Sequence, residues 1–186
     1  LCIGTASHGL MNRRWSGVYR LARAAVVHLA GWRSKRAAFS SDSKMADRAT
    51  ERQLLAGFHD LEQKKWRWTK RLSAVVLQPP LGSKRYGATL RVNLFIPSVS
   101  IRTLGPITLS AQAEDIVLSP ETFAKEGTYS YLRKIPAALF RGTLLPVVLT
   151  FDKAIVSPDP GARELAAVVD EVALEQQRFD LVGDED

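Results

Sequence analysis

Ala88-Thr89-Leu90-Arg91-Val92-Asn93-Leu94-Phe95-Ile96 is the stretch that decides the fold. Ala88, Leu90, Val92 and Leu94 fall on one side of an extended chain, and Thr89, Arg91 and Asn93 fall on the other. That period of two marks a half-buried strand, with one side against a core. Upstream, Leu72–Leu77 is an apolar run closed by Pro79-Pro80 and reads as a strand. Gly82–Gly87 reads as a polar turn, and Pro97 bounds the central strand.

Further along, Val99–Ile101 is expected to form a short strand. Gly105-Pro106 makes a turn before a strand beginning at Ile107–Ala111. Glu114-Asp115 is expected to be a hairpin tip leading into Ile116–Leu118. Thr128–Leu132 sets Tyr129 and Tyr131 on one side. Leu145–Asp152 does the same for Leu145, Val147, Leu149 and Phe151. Pro158, Pro160 and Gly161 form a loop. Arg163–Glu175 fits either a helix, from its Ala, Glu and Leu content, or a final strand, from Val168, Val172 and Leu174. Short strands at regular spacing predict an all-β chain: an antiparallel β-sandwich, jelly-roll-like.

The outer segments read differently. Residues 1–44 carry eight Lys or Arg and one acid, Asp42, whereas residues 45–186 carry 18 of each. The whole net charge of +7 therefore lies in the leader, and the balanced remainder has no net field to attract phosphates. Nucleic acid is not the favoured partner. A local basic patch stays open around Lys64, Lys65, Arg67, Lys70 and Arg71.

The leader is expected to be a helical or disordered extension outside the fold. Leu21, Ala24, Ala25, Val26 and Leu29 would line a short helix, and Arg36–Ser41 resembles a processing region, as in a mitochondrial transit peptide. Against that, Met45-Ala46-Asp47 reads as a natural start, which would make 1–44 upstream sequence. Leu21–Leu29 is too short to span a bilayer, so no transmembrane segment is expected. Residues 45–56 form a lead-in, with a short helix over Ala46–Leu55 ended by Gly57. Residues 57–175 are the sandwich, and 176–186 an acidic tail. The expected location is cytoplasmic, or mitochondrial if the leader is genuine.

Chemistry is thin. His59, Asp60 and Glu62 lie close in sequence, but His59 is the only histidine of the balanced part, and Cys2 is the only cysteine. No metal, cofactor or catalytic residue is predicted. Ser110, Ser119 and Ser130 sit in no nucleophile elbow, and no phosphate-binding glycine motif occurs. The residues worth testing for a ligand are Trp66, Trp68, Tyr129, Tyr131 and Arg67. Trp66 and Trp68 share one side of a strand, with Arg67 and Thr69 on the other. Exposed, the tryptophans would be a platform for a sugar ring; buried, they would be core anchors, which is the expectation for both aromatic pairs. Arg67 is expected to pair with Glu62 or Glu164.

Several segments resemble a bacterial β-sandwich domain. They are Gly57-Phe58-His59-Asp60-Leu61-Glu62 with Trp66-Arg67-Trp68-Thr69, then Leu104-Gly105-Pro106-Ile107-Thr108-Leu109-Ser110-Ala111. Pro120-Glu121-Thr122-Phe123 and Tyr129–Ala137 follow, then Phe151-Asp152-Lys153-Ala154 and Arg163–Val169. Their order spans roughly 56–175. The resemblance implies an architecture like that of carbohydrate-binding modules, found beside glycosyltransferases or methyltransferases of surface-polysaccharide pathways. It implies a non-catalytic binding or assembly module, with a glycan or another protein as partner. It also turns Arg163–Glu175 toward a strand. Ala166 departs from the pattern, which favours Gly, and Glu114-Asp115 stands where the pattern favours an Asn-Gly turn. A mitochondrially imported accessory subunit of an organellar complex is the alternative.

Overall fold

Ala88–Ile96 is a strand in which Ala88, Leu90, Val92, Leu94 and Ile96 are fully buried and the residues between them are not. The computed structural model describes residues 39–156 and 161–177. The expected leader helix over Leu21–Leu29, the loop prolines Pro158 and Pro160, and the acidic end from Arg178 lie outside those residues.

Twelve strands occur among the described residues: β1 (Asp42–Lys44), β2 (Leu54–Glu62), β3 (Trp66–Leu77), β4 (Ala88–Ile96), β5 (Ile107–Ala113), β6 (Ile116–Val117), β7 (Glu121–Phe123), β8 (Gly127–Ile135), β9 (Leu145–Phe151), β10 (Ile155–Val156), β11 (Glu164–Leu165) and β12 (Val168–Gln176). Every pairing is antiparallel. The main path runs β6-β5-β9-β3-β12-β4-β8, with β1 beside β12, β2 beside β3 and β7 beside β5. The fold is all-β and antiparallel, as the alternation predicts.

The sheet turns a corner where β3 meets β12. Only Trp68 and Arg67 of β3 pair with Val168 and Val169 of β12. Beyond that point Leu72–Leu77 joins β9, while β12 continues along β4 and β1. The path therefore curls, and one core collects Val75 and Leu77 from β3, Leu109 from β5, Val147 and Leu149 from β9, and Val92 and Leu94 from β4. Burying each such side chain contributes roughly 1.5–3 kcal/mol.

Side chains close the curl. Phe123 of β7 and Tyr129 of β8 have ring centroids 4.6 Å apart. The Tyr131 hydroxyl donates to the Ser119 carbonyl at 2.8 Å. The Arg133 guanidinium donates to the Ser119 and Pro120 carbonyls and pairs with Glu121 at 3.0 Å. Burial pushes the Tyr131 phenol above its ordinary pKa, ahead of the lowering influence of Arg133.

Several expectations are corrected. The fold begins upstream of residue 45: Asp42–Lys44 pairs with Glu171–Ala173, and Ser40 and Ser41 bond to Gln78 and Leu174 through the backbone. The lead-in is a 3-10 helix over Arg48–Gln53, capped by Asp47, whose carboxylate accepts from the Ala49 amide at 2.8 Å. Gly57 ends no helix; it lies inside β2 with φ +77, where a Cβ would sit 2.1 Å from the Leu72 carbonyl oxygen. Val99–Ile101 belongs to α2 (Ser98–Leu104), and the Gly82–Gly87 turn holds α1 (Ser83–Tyr86). Pro97 ahead of α2 suits a helix start, and its carbonyl takes the Ser100 and Ile101 amides. Arg163–Glu175 is extended, as β11 and β12. Among the described residues no helix is long and apolar enough to cross a membrane.

Candidate functional site

The register at the corner sorts the predicted residues onto two faces. Residues directly opposite in an antiparallel ladder point the same way. One row runs Trp68, Val168, Phe95, Thr128 across β3, β12, β4 and β8. The adjacent row runs Leu61, Arg67, Val169, Leu94, Tyr129. Val169 and Leu94 are fully buried core residues, so the second row faces inward and the first faces outward.

Trp66 and Trp68 are consequently on the outer face. Both are partly exposed, and neither belongs to the core, contrary to the expectation of core anchors. Tyr131 is fully buried, and Tyr129 packs against the core with its hydroxyl donating to the Lys125 carbonyl at 2.9 Å. The two aromatic pairs do not come together: the sheet lies between them.

Phe95 was the residue the pattern could have given up. It is the apolar member of the otherwise polar side of Ala88–Ile96, and it is 38% exposed in line with Trp68. Val168 stands between them in the row.

Polar groups border this apolar row on both sides. Glu62 is the cross-strand neighbour of Trp66, and it accepts from Arg163 at 2.7 Å. Two residues before Phe95 on the same face, Asn93 donates to Glu171 at 3.2 Å and accepts from the Ser130 hydroxyl at 2.8 Å. Arg91 bridges Glu171 at 2.7 Å and Glu175 at 2.6 Å. Desolvation works to lower the Arg91 pKa, but the bonds to Glu175 and Glu171 outweigh it, and the net direction is upward.

Arg67 is on the inner row with a side chain only 10% exposed. Its partners are neither Glu62 nor Glu164, which face the outer rim and bond to Arg163 and Arg71. Pointing inward, Arg67 donates to the His59 carbonyl at 3.0 Å and to Glu51 Oε1 at 2.8 Å. Thr69, also inward and fully buried, bonds to the Ala167 carbonyl. Arg67 borders a cleft of about 240 Å³ lined also by Glu51, Leu54, Leu55, Ala56 and Phe58.

The His59, Asp60, Glu62 cluster does not converge. His59 Nε2 lies 2.7 Å from the Glu164 carbonyl, which can only accept, so this nitrogen carries the proton. Asp60 is exposed, and Glu62 is held by Arg163. Among the described residues no group of three His, Cys, Asp or Glu side chains could hold a metal ion.

Fold and faces together define a curled antiparallel β domain whose outer face carries Trp66, Trp68 and Phe95, with the buried Val168 between Trp68 and Phe95. The chain matches no protein-family model and no curated protein sequence.

Proposed function

We propose that this chain is a non-catalytic module that binds a glycan across the outer row of Trp66, Trp68 and Phe95. The observation that carries the reading is the inverted alternation of β3: Arg67 and Thr69 are buried, while both tryptophans stay partly exposed and outside the core. The exposed Phe95 ring and the partly exposed Trp66 and Trp68 indoles offer aromatic edge and face area against which the apolar face of a sugar ring can pack. The bordering Glu62–Arg163 pair and the Asn93, Ser130 and Glu171 side chains supply acceptors and donors for ring hydroxyls. The resemblance to bacterial modules near surface-polysaccharide enzymes favours the same ligand class.

The test is retention on immobilised bacterial polysaccharides. Trp66→Ala together with Trp68→Ala should abolish retention and leave the melting temperature within a few degrees of the parent. Retention unchanged by the double substitution refutes the reading. Joint loss of retention and of the melting transition would return the tryptophans to a structural role.

A further inference from the structure

The inner face of the same hairpin carries a second feature. Alternation along β3 drives the Arg67 guanidinium inward, where a buried charge needs compensating bonds. Two of its nitrogens have them: one on the His59 carbonyl, one on a single oxygen of Glu51. Its Nε is buried without a hydrogen-bond partner among the described residues. A guanidinium fork is built for two parallel bonds to one carboxylate. Glu51 supplies one, from a side chain that is 57% exposed on the 3-10 helix.

Space lies beside this under-used fork. The β2 register shifts between Leu54 and Ala56, between Ala56 and Phe58, and between Phe58 and Leu61. These irregularities break the flat ladder where the cleft of about 240 Å³ sits, walled by Leu54, Leu55, Ala56 and Phe58. Bulged edge strands recur next to binding sites for this reason. An apolar cavity of about 150 Å³ accommodates benzene. The cleft therefore has room for one six-membered ring bearing an acid group.

We propose that the Arg67 cleft binds a small ring carboxylate, and that Glu51 holds the carboxylate position when the cleft is empty. The ligand exchanges the one-oxygen contact of a largely solvated side chain for the two-oxygen contact the fork accepts. Its ring lies beside Leu54 and Phe58, the two lining side chains that pack against the main core. Because Arg67 and the tryptophans leave β3 on opposite faces, this site is separate from the glycan row and stands or falls independently of it.

Calorimetric titration of the full chain at constant ionic strength tests it, with sodium benzoate, sodium glucuronate, glucose and sodium chloride. At least one of the two carboxylates should bind, and glucose and chloride should not. Benzoate alone identifies an apolar acid and glucuronate alone a sugar acid; either supports the site. Glu51→Ala removes the resident competitor and should tighten carboxylate binding about fivefold, the scale of an exposed ion pair. Arg67→Lys keeps the charge, loses the fork and should weaken binding about tenfold or more. Trp66→Ala with Trp68→Ala should leave these affinities unchanged, which separates failure here from failure of the glycan reading. No carboxylate binding to the parent or to Glu51→Ala overturns the proposal. Binding indifferent to Glu51→Ala overturns it too, and does not depend on whether the Arg67 variant folds.

Discussion

The side-chain amide of Gln53 pairs with the backbone of Ser40 in both directions: the Ser40 amide donates to Gln53 Oε1 at 3.0 Å, and Gln53 Nε2 reaches the Ser40 carbonyl at 3.2 Å. The same Nε2 also meets the carbonyls of Val76 at 3.1 Å and Asp42 at 3.3 Å. Gln53 is fully buried, and its amide imitates a strand neighbour where β3 and β12 have parted. Gln53→Ala strips partners from several backbone groups at once and should cost about 2–4 kcal/mol in urea unfolding. A chain beginning at Met45 lacks Ser40 and β1 altogether and should lose at least as much.

Gly57 and Gly105 both have positive φ, at +77 and +70, but differ in surroundings. A Cβ at Gly57 would strike the Leu72 carbonyl, whereas at Gly105 nothing lies within 4 Å. Gly105→Ala should cost about 1–2 kcal/mol, for backbone strain alone. Gly57→Ala should cost at least about 3 kcal/mol, since it forces β2 from β3. Equal melting temperatures for the two variants would contradict this account.

The β2–β3 turn stores strain that can be relieved. Gln63 and Lys64 have φ 48 and 58, and the Lys65 amide bonds to the Glu62 carbonyl at 3.0 Å. Consecutive positive φ values suit Asn-Gly. Lys64→Gly should raise stability by about 0.5–1 kcal/mol, read as a higher urea midpoint at unchanged slope.

Asp170 occupies the irregularity in β12 between Val169 and Glu171. Burial first, and the Glu171 charge second, raise its pKa above the usual 3.8. The native state therefore holds this proton more tightly than the unfolded chain does. Its contribution to stability is full below pH 3.8 and is lost as pH rises through the native value. Asp170→Asn should be more stable than the parent at pH 7, and the advantage should vanish on acidification below pH 3.8. An advantage independent of pH would point away from charge.

The aromatic residues should separate by face. Tyr131→Ala empties a fully buried site and should cost about 3–5 kcal/mol. Trp68→Ala, partly exposed on the outer face, should cost less, about 1–2 kcal/mol. Comparable losses in denaturant melts would place Trp68 in the core.

Legibility followed the strength of the alternation. β4 was readable to its end residues because every second side chain is apolar and buried. The first half of β3 was not, because there the inward positions are Arg67 and Thr69. Arg67 and Thr69 face inward onto waiting carbonyls, those of His59 and Ala167. Those carbonyls come from β2 and from the link between β11 and β12, and leave no mark on the local pattern. Ser98-Val99-Ser100-Ile101 misled in the opposite sense: its alternation is strand-like, but Pro97 and the fully buried Ser100 place it in a helix turn. Of the ligand candidates, the pairing of Trp66 with Trp68 on one side was legible. Which side, and the presence of Glu51 beside Arg67, was not; Phe95 was marked by its place on the polar side of β4, but its alignment with Trp68 was not.

By itself the sequence determined that this is an antiparallel β domain, because side-chain period is a local property of extended chain and each buried strand repeats it. Long-range packing alone set which face of β3 is outside, that Ser40–Lys44 completes the sheet, and that Arg67 borders a cleft. Those outcomes depend on where β3 leaves β12 for β9, and such a corner is made by pairings between residues about a hundred positions apart.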